Sequence, residues 1–165
     1  GHESGSIEGQ VLQIFADAYT PVVDSSAIPT GEIASVEGTP MDFRTEKQIG
    51  QDIRADFEQL HFTGGYDHNY VLGRPGEKKI MANAYCRESG IALEAETDCC
   101  GVQFYAGNFI GEQTGKGGAS YHDRSAFCLE SQFYPNAVNE PDFPSPVVKA
   151  GDTYHTETSY RFYLR

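Results

Sequence analysis

Positive charge is scarce in this chain, where 12 Lys and Arg stand against 24 Asp and Glu for a formal net charge of -12. Such a field repels a phosphate backbone, and no cluster of Lys or Arg offsets it locally, so nucleic acid and anionic membrane are poor partners. Long apolar runs are missing too: none approaches the ~20 residues of a membrane-spanning helix. No basic-then-apolar segment opens the sequence and no N-x-S/T sequon occurs in it. Cysteine is sparse. Cys86, Cys99, Cys100 and Cys128 include one adjacent pair and no C-x-x-C spacing, and a chain of this length needs no staples, so free thiols in a reducing compartment are expected. Together these absences point to a cytoplasmic protein. No His/Cys spacing suits a metal, and the glycine-rich stretch 111–118 with Lys116 lacks the G-x-x-x-x-G-K-[ST] pattern of a phosphate cradle.

What is present is ordinary for a globular chain: 165 residues, 39% hydrophobic and 22% charged, enough for one domain over 1–165 or one large piece of a domain. Apolar residues recur at every second position through several segments, which predicts a β protein. Strands are expected at 11–19, 33–36, 79–87, 91–97, 102–106 and 126–132. Glu88-Ser89-Gly90 reads as the turn of an antiparallel hairpin between two of them. The only helix candidate is 46–60, where Ile49, Ile53, Phe57 and Leu60 follow 4-4-3 spacing behind a possible Thr45 cap. Gly50 weakens it, so one short helix or separate turns are expected. In the last strand Tyr154, Thr156, Thr158, Tyr160, Phe162 and Leu164 share one face, read as core, and the other face reads as partly wet. Four prolines make 135–146 an ordered but irregular loop. Many short strands with one marginal helix argue for a sandwich or large twisted sheets.

Glu130 is the leading candidate for chemistry. Phe127, Leu129 and Phe133 flank it at strand-like alternation, where burial of a carboxylate is costly, so the residue needs a partner or a role such as general base. Two further clusters, Tyr66-Asp67-His68-Asn69 and Gln103-Phe104-Tyr105-Ala106-Gly107-Asn108, mix hydrogen-bonding groups with aromatic rings in segments bounded by glycine. Carboxylates, amides and aromatic faces together suit a neutral polyhydroxylated ligand such as a sugar. Taken alone, Glu130 is as readily an ion-pair or rim residue, His68 a structural histidine beside Asp67, and Cys128 a buried small thiol sharing the face of Glu130. Phe104 reads as core before it reads as a platform for sugar C–H bonds. Asn108 either touches ligand or satisfies the backbone of a turn.

Three ordered motifs carry a resemblance. Gly65-Tyr66-Asp67-His68-Asn69-Tyr70-Val71-Leu72, Gly101-Val102-Gln103-Phe104-Tyr105-Ala106-Gly107-Asn108-Phe109, and Leu129-Glu130-Ser131-Gln132 with 139–145 are similar to those of the galactose mutarotase (aldose 1-epimerase) family. Thr20-Pro21-Val22 and Met41-Asp42-Phe43-Arg44 agree with it, and the match runs from Gly1 to Arg165. The resemblance implies an all-β, galactose mutarotase-like β-supersandwich of antiparallel sheets. It also implies a cytosolic isomerase that interconverts the α and β anomers of hexoses such as galactose or glucose, with no cofactor and no metal. In the family pattern the glutamate of L-E-x-Q is the base, which carries over to Glu130; the aspartate of G-Y-D-H-N and the glutamine of G-V-Q-F-Y hold sugar hydroxyls, which carries over to Asp67 and Gln103.

One departure bears on function. The family's acid is a histidine in an N-H-x-Y-F-N-L motif that ends just before the position matching Gly1, and none of His2, His61, His68, His122 or His155 stands at that position. The chain therefore reads as the C-terminal part of the domain, holding the base and part of the sugar site, with the N-terminal half of the same fold as its expected partner. A non-catalytic carbohydrate-binding β-sandwich fragment is the alternative. A divided sandwich should expose apolar surface and unpaired sheet edges.

Overall fold

A computed structural model of the chain describes residues 4–165. Its strands are β1 (Val11–Ile14), β2 (Ala18–Tyr19), β3 (Ala34–Ser35), β4 (Lys47–Gln48), β5 (Asp67–Val71), β6 (Lys79–Tyr85), β7 (Ile91–Thr97), β8 (Gly101–Tyr105), β9 (Gln113–Thr114), β10 (Ser120–Tyr121), β11 (Cys128–Gln132) and β12 (Thr158–Leu164), with one short helix, α1 (Glu58–Thr63). Two five-stranded sheets, ordered β12-β7-β6-β1-β4 and β11-β8-β5-β2-β3, and the small β9-β10 hairpin account for them all, and every pairing is antiparallel. The fold is all-β, as the alternation requires.

The two sheets close on one core. Leu12, Ile14, Ala82, Ala84 and Ala95 come from the first, and Tyr19, Tyr70, Val102, Phe104 and Leu129 from the second. Phe104 is fully buried edge-on against Phe43 and stacked on Tyr66, with ring centroids at 5.5 and 5.3 Å. It is core, as its packing reading has it. The loop 135–146 is ordered around a satellite cluster in which Tyr134 and Phe143 meet edge to face at 5.1 Å.

Three expectations change. The segment 11–19 is two strands in different sheets, since Phe15, Ala16 and Asp17 carry the chain from β1 across to β2. In 46–60 the 4-4-3 residues Ile49, Ile53 and Leu60 do face the core, but through turns: Lys47–Gln48 pairs with β1, Ile49 N–H donates to Gln10 O and Gly50 N–H to Glu8 O. Those bonds to the first residues of the chain outcompete a helical ladder, and a Cβ on Gly50 would lie 2.7 Å from Glu8 Cβ. The helix itself begins at Glu58 and ends at Gly64 in the left-handed region, φ 66°.

The third concerns β12. Register puts Tyr160, Phe162 and Leu164 opposite Ala95, Leu93 and Ile91, on the core side of their sheet, yet Phe162 is 70% exposed and Leu164 81%. β12 is the end strand of one sheet and β11 of the other, and the Tyr160 hydroxyl donates to Leu129 O across them at 2.8 Å. Beyond Tyr160 the core-side residues Phe162 and Leu164 thus overhang the edge of the opposite sheet and stay largely exposed among the described residues.

Candidate active site

Alternation along β5, β8 and β11 sends every second side chain out of the sandwich, and antiparallel register decides which of them meet. Tyr70, Val102, Phe104 and Leu129 point inward; Asp67, Asn69, Gln103, Tyr105, Cys128, Glu130 and Gln132 belong to the outer face. Gln103 lies directly opposite Glu130 on one side and Asn69 on the other, while Tyr105 lies between Cys128 and Asp67. All three residues carried over from the family pattern, Glu130, Asp67 and Gln103, therefore share one face of three adjacent strands.

Their contacts form a relay. Gln103 Nε2 donates to Asp67 Oδ1 at 2.7 Å, and Gln132 Nε2 donates to Gln103 Oε1 at 3.1 Å and to Asn69 Oδ1 at 3.2 Å. Asp67 is half-buried, and burial raises its pKa from the ordinary aspartate value while the bond from Gln103 pulls it back. The Cys128 thiol is pushed up as well, first by desolvation and then by the charges of Glu130 and Asp67, although the residue as a whole is exposed. Cys128 does share the face of Glu130.

Glu130 itself corrects the expectation of a buried carboxylate. It is exposed, because Phe127 and Leu129 take the inward positions and the cluster of Tyr134 and Phe143 covers the outer face only at its Val71 end. A solvated carboxylate incurs no desolvation penalty, so its presence here needs no ion-pair partner. Sequence reasoning passed over Asn69, Tyr105 and Gln132 as site residues. The signal was there, since each lies two positions from a chosen residue and so shares its face.

The histidines stand apart from this face. His68 is turned inward and fully buried, edge-on to Tyr19 at 5.9 Å; its Nδ1 accepts from Asp67 N–H at 3.2 Å, and burial depresses its pKa to about 4. It is the structural residue expected of it. His61 and His122 are exposed beside Asp56 and Glu112, His155 is exposed, and His2 lies outside the described residues. Asn108 is buried and serves as a backbone partner, with Nδ2 donating to Thr63 O and Tyr66 O, both at 3.0 Å, while its Oδ1 is buried without a hydrogen bond. No group of His, Cys, Asp and Glu among the described residues could hold a metal, and no described helix is long and apolar enough to cross a membrane.

Comparison with known proteins bears on the family of the chain. Residues 1–161 match the Aldose 1-epimerase family. The chain is 43% identical over 163 residues to a galactose mutarotase of Bos taurus, covering 98% of this chain and 46% of that protein. It is 36% identical to an aldose 1-epimerase of Escherichia coli (strain K12), covering 97% and 46%. Among solved structures, a GalM/aldose epimerase homologue from C. elegans superposes with a TM-score of 0.79 at 27% identity, over 96% of this chain and 47% of that one. The chain thus spans about half the length of the relatives it matches.

Proposed function

Since the chain belongs to the aldose 1-epimerase family, we propose that it forms the C-terminal part of an aldose 1-epimerase domain and contributes the base and part of the sugar site for interconverting hexose anomers. Glu130 takes the proton of the anomeric hydroxyl while an acid protonates the ring oxygen. The C1–O5 bond breaks, the C1–C2 bond rotates, and closure on the other face of the carbonyl gives the other anomer, with both protons returned. Asp67 and Gln103 hold sugar hydroxyls through an acceptor and a donor. The observation that carries this reading is that Glu130, Gln103 and Asp67 occupy the outer face of three neighbouring strands, with Gln103 directly opposite Glu130 and bonded to Asp67.

A neutral hexose such as galactose or glucose fits this face better than a sugar phosphate, because no Lys or Arg stands among its residues. The acid we assign to the portion of the family fold beyond the matched stretch. The exposed Phe162 and Leu164 and the free edges of β11 and β12 support a seat there for further strands of the same fold. We place the assembled enzyme in the cytosol, in keeping with its free thiols. A carbohydrate-binding role without catalysis is the second reading, favoured only if the acid is never supplied, since losing one member of an acid/base pair forfeits about 10²–10⁴ in rate.

The test is anomer exchange of galactose followed by NMR, with the chain alone and with the N-terminal half of a relative added. Acceleration in the assembled sample that disappears in Glu130→Gln supports the enzyme reading. Exchange that is insensitive to Glu130→Gln would remove the assigned base.

A further inference from the structure

The outer face contains a glutamine that the proposed chemistry does not use. Gln132 lies on β11 two residues beyond Glu130, and its register partner on β8 is Gly101. Because Gly101 has no side chain, Gln132 can reach over β8 to Asn69 on β5 as well as along β8 to Gln103. A Cβ at position 101 would lie 2.3 Å from Asn69 Oδ1, so the glycine leaves open the space in which the two amides meet.

Donor and acceptor identities then fix a direction. An ionised carboxylate only accepts, so Gln103 must turn its amide nitrogen to Asp67 Oδ1, which sends its carbonyl oxygen the other way. That oxygen needs a donor, and Gln132 Nε2 supplies it while its other N–H goes to the buried Asn69. We infer that Gln132 is a positioning residue: Asp67 selects which way the Gln103 amide faces, and Gln132, by holding the Gln103 carbonyl, keeps the amide in that orientation, so that a carboxylate oxygen of Asp67 and an N–H of Gln103 stay presented together to a ligand hydroxyl. Only the identity of the ligand rests on the functional reading above; the relay stands on the geometry of the chain. It also gives a single physical task to the glycine of one motif and the glutamine of another.

Gln132→Met keeps the side chain's length and removes its donor. The full chain is labelled with ¹³C and ¹⁵N, its fold verified by backbone amide dispersion, and three readouts are taken: the Asp67 carboxyl titration, the Gln103 side-chain amide signals, and galactose affinity by titration. The expected result is loss of the protected Gln103 amide signals and a rise in the Asp67 midpoint, because the bond that lowers it is no longer held. Galactose affinity should fall about five- to tenfold, the worth of one hydrogen bond. If Gln132→Met does not fold, Gln132→Glu, which keeps polarity but replaces the donor with an acceptor, is read by the Gln103 amide signals. A folded variant whose Gln103 signals are unchanged overturns the proposal. Galactose affinity is read with the N-terminal half of a relative added; a parent chain that binds no galactose in that assembly counts against the sugar reading, and the Gln103 and Asp67 readouts on the chain alone still decide the relay.

Discussion

Gly101→Ala is the most exacting stability test of this face. Position 101 is ordinary extended strand, so an alanine there meets no backbone strain, and reduced freedom of the unfolded chain favours it by about 0.4–1 kcal/mol. The added methyl opposes that gain: it would sit 2.3 Å from Asn69 Oδ1 and 3.0 Å from Tyr134 Cδ1. Neither neighbour can swing into solvent, since Asn69 is 1% and Tyr134 4% exposed. Overpacking of this kind costs about 1–3 kcal/mol, and displacing Asn69 from Gln132 forfeits about 0.5–1.5 kcal/mol more. A net loss of about 2 kcal/mol follows, read in urea as a midpoint lower by about 1 M at unchanged slope. The same substitution made in an Asn69→Ala background should cost much less, because the obstructing oxygen is gone. Equal cost in both backgrounds, or a change within about 0.5 kcal/mol in the parent, would refute the account of this glycine.

Three further outcomes are expected. The His68 pKa is about 4 in the folded chain against an ordinary value of 6.5, so the unfolded state binds the extra proton as pH falls from 6.5 toward 4. Stability should then drop by about 2 kcal/mol between pH 7 and pH 5 on this account, with a smaller drop in His68→Gln measured by urea unfolding; the same drop in both would refute it. Asp67 carries the opposite sign: its folded pKa is raised, so it favours the fold below the unfolded pKa and loses that contribution as pH rises through the folded one. Asp67→Asn should leave stability at pH 7 unchanged or slightly higher while galactose affinity falls about ten- to a hundredfold by NMR titration; unchanged affinity would remove Asp67 from the sugar site. Among the thiols, Cys86 is lowered by its hydrogen bond from Ser89 whereas Cys128 is raised, so iodoacetamide at pH 8 should label Cys86 ahead of the more exposed Cys128 in peptide mass spectra. Faster labelling of Cys128 would contradict the field assigned to Glu130 and Asp67.

The β class, the hairpin around Glu88-Ser89-Gly90 and the irregular loop at 135–146 were legible, because each depends on local signals: alternation, turn glycine and proline. Where the reading changed, a distant segment had intervened. The apolar spacing of Ile49, Ile53 and Leu60 marked core residues correctly, but backbone bonds to Glu8 and Gln10 took the N–H groups that a helix would have used. Glu130 was wrongly surrounded, since alternation says which residues share a face without saying which face is covered.

By itself the sequence determined parity and identity: which strand residues stand side by side, and that the ordered motifs around Asp67, Gln103 and Glu130 are those of a sugar epimerase family. Parity is a property of the extended backbone and needs no neighbour. The tertiary structure alone decided adjacency. It ordered the strands β11-β8-β5, so that Gln132 comes to lie against Asn69 and Gln103 against both Asp67 and Glu130. It also left Phe162 and Leu164 of β12 uncovered among the described residues. Those outcomes depend on which backbone donors and apolar faces find each other across long stretches of chain, a competition that no local pattern encodes.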